Sequence, residues 1–148
     1  MNITTLHASC VSFGNKAVLI RGTPGSGKSD LVLRLIDAEG FGTGQKSLRA
    51  KLVADDQVEL IKVEDRIYVS PPKTLAGMLE MRGWGIVTLP HKARAILHLV
   101  VDLGSQAEIP RMPEPEERSI EILGLPFQRL MIDPASTSAA ARIRALIS

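Results

Sequence analysis

Val18-Leu19-Ile20-Arg21, Gly22-Thr23-Pro24-Gly25-Ser26-Gly27-Lys28-Ser29 and Asp30-Leu31-Val32-Leu33-Arg34-Leu35-Ile36 follow one another in the chain. They are a short apolar run, a glycine-rich turn closed by Lys-Ser, and a segment with apolar residues at helical spacing. The middle block fits G-x-x-x-x-G-K-[ST] at every fixed position, and its flanks supply the strand and helix that this pattern requires. A loop wrapped around a polyphosphate must aim several backbone N–H groups inward, so it uses glycines, which reach positive φ cheaply and let the backbone come close. Lys28 reaches the β/γ-phosphates, the Ser29 hydroxyl ligates Mg²⁺, and the helix points its positive end at the anion. Gly22, Thr23, Pro24, Gly25, Ser26, Gly27, Lys28 and Ser29 are therefore read as a site for a nucleoside triphosphate with Mg²⁺.

Working outward, the 148 residues suit one domain with its own core, so residues 1–148 are expected to form a single unit. Eighteen Lys+Arg stand against 16 Asp+Glu, scattered along the chain, which argues against nucleic acid as a partner. No apolar run approaches a membrane span and no targeting signal is visible, so a membrane is not expected either. The single Cys10 cannot form an internal disulfide and reads as a small core residue, in keeping with a reduced cytoplasmic setting.

The strands come largely as hairpins. Thr4 to Phe13 reads as one strand turning at Gly14-Asn15-Lys16 into Ala17–Arg21, and Gln57 to Val69 reads as a hairpin around Glu64-Asp65. Leu52–Ala54 is a short strand ending in Asp55-Asp56. Leu75 to Met81 is expected to be a short helix, broken by Gly83-Trp84-Gly85 before the strand Ile86–Leu89. Ile96–Leu103 is a buried strand, Gln106–Arg118 a surface loop, Ile120–Ile132 a last hairpin around Gly124, and Pro134–Ile147 a terminal helix starting at Pro134. The predicted fold class is thus α/β, a P-loop domain with a mixed, hairpin-rich sheet and few helices, unlike a doubly wound parallel sheet.

Phosphoryl transfer needs a carboxylate for Mg²⁺ and one to orient or deprotonate the attacking hydroxyl. Asp55 and Asp56 end a strand, and adjacent residues there point to opposite faces, so the two are expected to do different jobs. A solvated turn is the plain alternative for the pair. Asp102, at the end of Leu97-His98-Leu99-Val100-Val101, is a rival carboxylate for the metal. In Glu80-Met81-Arg82-Gly83-Trp84-Gly85, the glycines suggest a backbone that approaches something closely, with Arg82 able to clamp phosphate and Glu80 to join the metal shell. A capped helix end with a core Trp84 is the alternative.

Leu6-His7-Ala8, the loop Gly22–Ser29, Leu52-Val53-Ala54-Asp55-Asp56, Pro71-Pro72-Lys73 and Leu79-Glu80-Met81-Arg82-Gly83-Trp84-Gly85-Ile86 together resemble the catalytic domain of bacterial HPr kinase/phosphorylase. The likeness runs from about Leu6 to Ile86 and weakens beyond. It resembles the C-terminal catalytic domain only, and the chain is expected to be a short form lacking the family's usual N-terminal domain. The resemblance implies ATP- and Mg²⁺-dependent phosphorylation of a serine of HPr, a phosphocarrier of the sugar phosphotransferase system, together with reversal by inorganic phosphate. It implies a catalytic set of Asp55 as base, Lys28, Asp56, His7 and Arg82, with Ser29, Glu80 and Asp56 at the metal. Arg94 is a candidate for the family's loop arginine, and a homo-oligomer is left open. Two other readings stand beside it: a small-molecule P-loop kinase using Asp102, and a module that senses ATP without transferring phosphate.

Overall fold

The computed structural model describes residues 2–148. Eleven strands are built in chain order: β1 (Ile3–Leu6), β2 (Ser9–Phe13), β3 (Lys16–Arg21), β4 (Lys51–Ala54), β5 (Val58–Val63), β6 (Arg66–Ser70), β7 (Met78–Met81), β8 (Gly85–Thr88), β9 (Ala95–Leu103), β10 (Ser119–Ile122) and β11 (Leu125–Ile132). Two α-helices accompany them, α1 (Lys28–Asp37) and α2 (Ala139–Ile147). Nine strands form one sheet in the order β1-β5-β6-β9-β3-β2-β4, with β11 joining β9 and β10 joining β11. Only β3, β9 and β11 run parallel, and the other pairings are antiparallel. The mixed, hairpin-rich α/β architecture expected from the sequence is present.

The core explains the layering. Along β3, Val18 and Ile20 pack with α1 and α2 on one face, while Ala17 and Leu19 pack on the other, so the strand is apolar throughout because both its faces are buried. Cys10 is fully buried in the second cluster, where desolvation pushes its thiol pKa well up and leaves it a small apolar filler. Leu31, Val32 and Leu35 seat α1 on the first face.

Three expectations are corrected. Thr4–Phe13 is two strands: β1 leaves the hairpin and pairs with β5, while β2 pairs with β3 and β4. The helix expected at Leu75–Met81 is a 3-10 turn at Lys73–Leu75 followed by β7, which pairs with β8 in a separate two-stranded sheet. Gly77 stands between them at φ 76°, outside the helical region, and beyond it Leu79 is buried while Met78 and Glu80 are exposed, the period-2 pattern of a strand. The terminal helix starts at Ala139, and Pro134–Thr137 form turns before it.

Arg144 of α2 fastens the glycine-rich segment after α1. Its guanidinium is buried and donates to the carbonyls of Leu48 at 2.9 Å and Ala38 at 2.6 Å. Arg144→Ala leaves these acceptors unpaired and is expected to lower stability by about 2–4 kcal/mol, read by urea denaturation against the parent chain.

Candidate active site

The phosphate loop leaves β3 at Arg21 and returns as α1 at Lys28. Gly27, at φ 104°, caps the helix in the left-handed region, which a residue with a Cβ would enter only under strain. The Ser26 N–H donates to the Thr23 carbonyl at 3.0 Å and closes the turn. Lys28, only 6% exposed, donates from Nζ to the carbonyls of Gly22 at 2.9 Å and Thr23 at 3.2 Å. Its ammonium is thereby fixed across the mouth of the loop.

Asp55 is held from three directions. Its Oδ1 accepts from the hydroxyls of Ser29 at 2.8 Å and Ser9 at 3.0 Å, and its Oδ2 accepts from the Glu80 N–H at 3.2 Å. Asp56, in the left-handed region at φ 69°, turns the other way and meets His7 Nε2 at 3.2 Å, while its N–H donates to Ser9 Oγ at 3.2 Å. The two carboxylates thus have separate partners. A cleft of about 660 Å³ is lined by the loop residues Pro24, Gly25, Gly27, Lys28 and Ser29 together with His7, Asp55, Asp56, Glu80 and Arg82. Gly22, Thr23 and Ser26 belong to the loop behind that lining.

The β7–β8 turn brings Arg82 to the cleft and leaves Trp84 79% exposed at its tip. A Cβ at Gly83 or Gly85 would meet none of the protein's own atoms within 4 Å, so within the chain it is the positive φ of the turn that calls for glycine. The capped helix end with a core Trp84 does not hold, since the stretch is a hairpin and Trp84 is outside the core. Arg94 is also placed elsewhere, its guanidinium 4.7 Å from the centre of the Tyr68 ring.

Among the described residues no three His, Cys, Asp or Glu side chains converge on one point as a closed metal cage. Mg²⁺ does not require such a cage, since it binds through one or two carboxylates and takes the rest of its shell from phosphates and water. Ser29, Asp56 and Glu80 lie in the cleft within that scheme, and Asp55 is in direct contact with Ser29.

The rival Asp102 is already occupied. At the end of β9 it receives Arg21 Nε at 2.7 Å and Arg21 Nη2 at 2.8 Å, and Arg129 Nε at 2.5 Å. Burial raises its pKa, but the hydrogen bonds and charges of Arg21 and Arg129 outweigh it and hold the carboxyl below its ordinary value. Three residues near the site had no signal in the sequence for their place in it. Ser9 is buried and clamps the Asp55-Asp56 turn, and Pro134-Ala135 lines the cleft.

Residues 1–133 match the model of the HPr serine kinase C-terminal domain. The chain belongs to that family. It is 31% identical over 142 residues to the HPr kinase/phosphorylase of Burkholderia lata, covering 89% of this chain and 41% of that protein. Against the HPr kinase/phosphorylase of Clostridium tetani it is 38% identical over 87 residues, 59% of this chain and 25% of that protein. The chain therefore spans less than half the length of these curated relatives. The solved Hpr(Ser) kinase/phosphatase of Coxiella burnetii superposes with a TM-score of 0.78 at 26% identity, covering 97% of this chain and 93% of that one.

The Asp102 cluster yields a pH prediction. Because the folded carboxyl titrates below its unfolded value, its contribution is complete above the unfolded carboxylate pKa of about 4 and is lost as pH falls through the lower folded value. Asp102→Asn is expected to cost about 2 kcal/mol at pH 7, a modest figure because the cluster is partly solvated. The deficit should shrink as both proteins are unfolded in urea at successively lower pH, and a constant deficit would show that the ion pairs are not its source.

Proposed function

We propose that this chain is a single catalytic domain that transfers the γ-phosphoryl group of ATP to a serine hydroxyl of HPr or an HPr-like phosphocarrier, acting in the cytoplasm. The observation that carries the proposal is the 2.8 Å contact between Asp55 and Ser29 at the mouth of the Lys28 loop. It puts a carboxylate beside the residue that marks the metal and γ-phosphate position in this motif.

In this reading the loop amides and Lys28 bind and orient the triphosphate, and Arg82 neutralises charge on the cleft's open side. Mg²⁺, when held by Ser29 with Asp56 and Glu80, supplies further positive charge to the phosphate oxygens. Asp55 takes the proton as the seryl oxygen bonds to the γ-phosphorus and the bond to the bridging oxygen of ADP breaks. His7 holds Asp56 in position. In the reverse direction Asp55 takes a proton from inorganic phosphate as its oxygen bonds to the phosphoserine phosphorus, and gives it to the departing seryl oxygen, leaving pyrophosphate and serine. No described helix is long and apolar enough to cross a membrane.

Transfer of labelled γ-phosphate from Mg-ATP to purified HPr tests the proposal. Asp55→Asn is expected to lower turnover by at least about 10²-fold, the contribution of a general base, while nucleotide still binds. Lys28→Ala is expected to impair both binding and transfer. Undiminished turnover in Asp55→Asn would remove Asp55 as the base, and ATP binding without phosphorylation of any carrier would favour a sensing module.

A further inference from the structure

The cleft has two flanks, and one of them holds the reacting groups. Ser29, Asp55, Asp56, His7 and the Glu80 backbone are linked by hydrogen bonds and the His7–Asp56 pair on the side of β4 and β7. The other flank is the turn after β11, where Pro134 and Ala135 line the cleft beside Gly27 and Asp30. Since β11 runs parallel to β9 and β9 to β3, this turn lies at the same carboxyl-terminal edge as the phosphate loop, where ligands of parallel sheets collect.

Hydrogen bonds hold the turn in place. Asp133 accepts from the Ala135 N–H at 2.9 Å and the Gln106 N–H at 3.0 Å, and the Ser136 N–H donates to the Asp133 carbonyl at 3.0 Å. Arg34 of α1 donates to the Pro134 carbonyl and pairs with Asp30 at 3.4 Å. Pro134 has no N–H. What the turn itself offers the cleft is apolar, the exposed Ala135 side chain and the Pro134 ring, whose Cγ would lie 3.1 Å from a Cβ placed on Gly27, while the Asp30 carboxylate beside them is paired with Arg34.

A triphosphate seated on the loop must direct its nucleoside along one flank, and the acceptor hydroxyl needs the flank of Asp55. We propose that Pro134 and Ala135 form the nucleobase subsite, holding the base by apolar contact without reading its hydrogen-bonding edge. This rests on the nucleotide reading of the loop. Discrimination between purine triphosphates is accordingly weak, because recognition of a base edge requires free donors or acceptors. The subsite lies just past residue 133, where the match to the family model ends.

Isothermal titration calorimetry of the full chain with Mg-ATP, Mg-GTP and Mg-tripolyphosphate tests the subsite. The parent chain is expected to bind ATP and GTP within about tenfold of each other, and a larger preference overturns the claim that the edge is unread. Ala135→Leu fills the flank without adding charge, at an exposed position that tolerates it. It is expected to weaken ATP and GTP by about tenfold, the loss of one base contact, and to leave tripolyphosphate within about twofold. Equal weakening of all three ligands, or of none, overturns the subsite. Ala135→Val repeats the comparison if Ala135→Leu lacks a cooperative melt. A parent chain that binds none of the three instead overturns the nucleotide reading itself.

Discussion

The Asp55 carboxylate is where three parts of the molecule meet. Its partners come from α1 (Ser29), β2 (Ser9) and β7 (Glu80 N–H), which belong to the phosphate loop, the main sheet and the small hairpin sheet. Among the described residues, the side-chain hydrogen bonds that join these three elements here all run through that carboxylate. The hairpin β7–β8 stands outside the main sheet, so the Glu80 N–H and the buried Leu79 dock the segment that brings Arg82 to the cleft. Disturbing Asp55 would therefore loosen the site's geometry as well as its chemistry, which is why a conservative Asp→Asn change is the informative one.

Irregular backbone aims these side chains. The pairing of β2 with β4 shifts between Cys10↔Ala54 and Val11↔Leu52, leaving Val53 as an extra residue. Leu52 packs on the helix side, Val53 and Ala54 on the other, and the altered alternation brings Asp55 out facing α1. The left-handed turn at Asp56 then sends the next carboxylate to His7. A second bulge, at His98, sends Leu97 and Leu99 to opposite faces of β9, so a run that reads as uniform in sequence serves both cores. Bulges beside functional residues are a recurrent way of re-aiming a strand.

What the sequence revealed was mostly local. The loop from Gly22 to Ser29 carries its conformational demands in its own residues, and the β5–β6 and β10–β11 hairpins are bounded by turn residues, so all were legible. Leu75–Met81 misled because its apolar spacing fits both a helix and a short strand, and the choice was made by Gly77 and by pairing with β8. Ser9 and Pro134 reach the site from 46 residues before Asp55 and from beyond the last strand, and no local pattern reports such meetings. That Asp55 and Asp56 point apart was expected from strand alternation, but the pair lies past the end of β4, and the bulge and the left-handed turn that aim them were not legible.

Asp55 and Asp102 show why position at a strand end does not by itself make a carboxylate functional. Both close apolar strands in the same sheet, and the sequence left them as rivals. Asp102 is gripped by two guanidiniums, which compensate its negative charge and turn it into a tie between β3, β9 and β11. Asp55 is held by two hydroxyls and an amide, neutral donors that fix its direction without supplying an opposing charge, and among the described residues no cation pairs with it. A carboxylate so held keeps its negative charge unpaired by any side-chain cation and directed toward the cleft. The difference lies in the partners, and it favours Asp55 for chemistry and Asp102 for architecture.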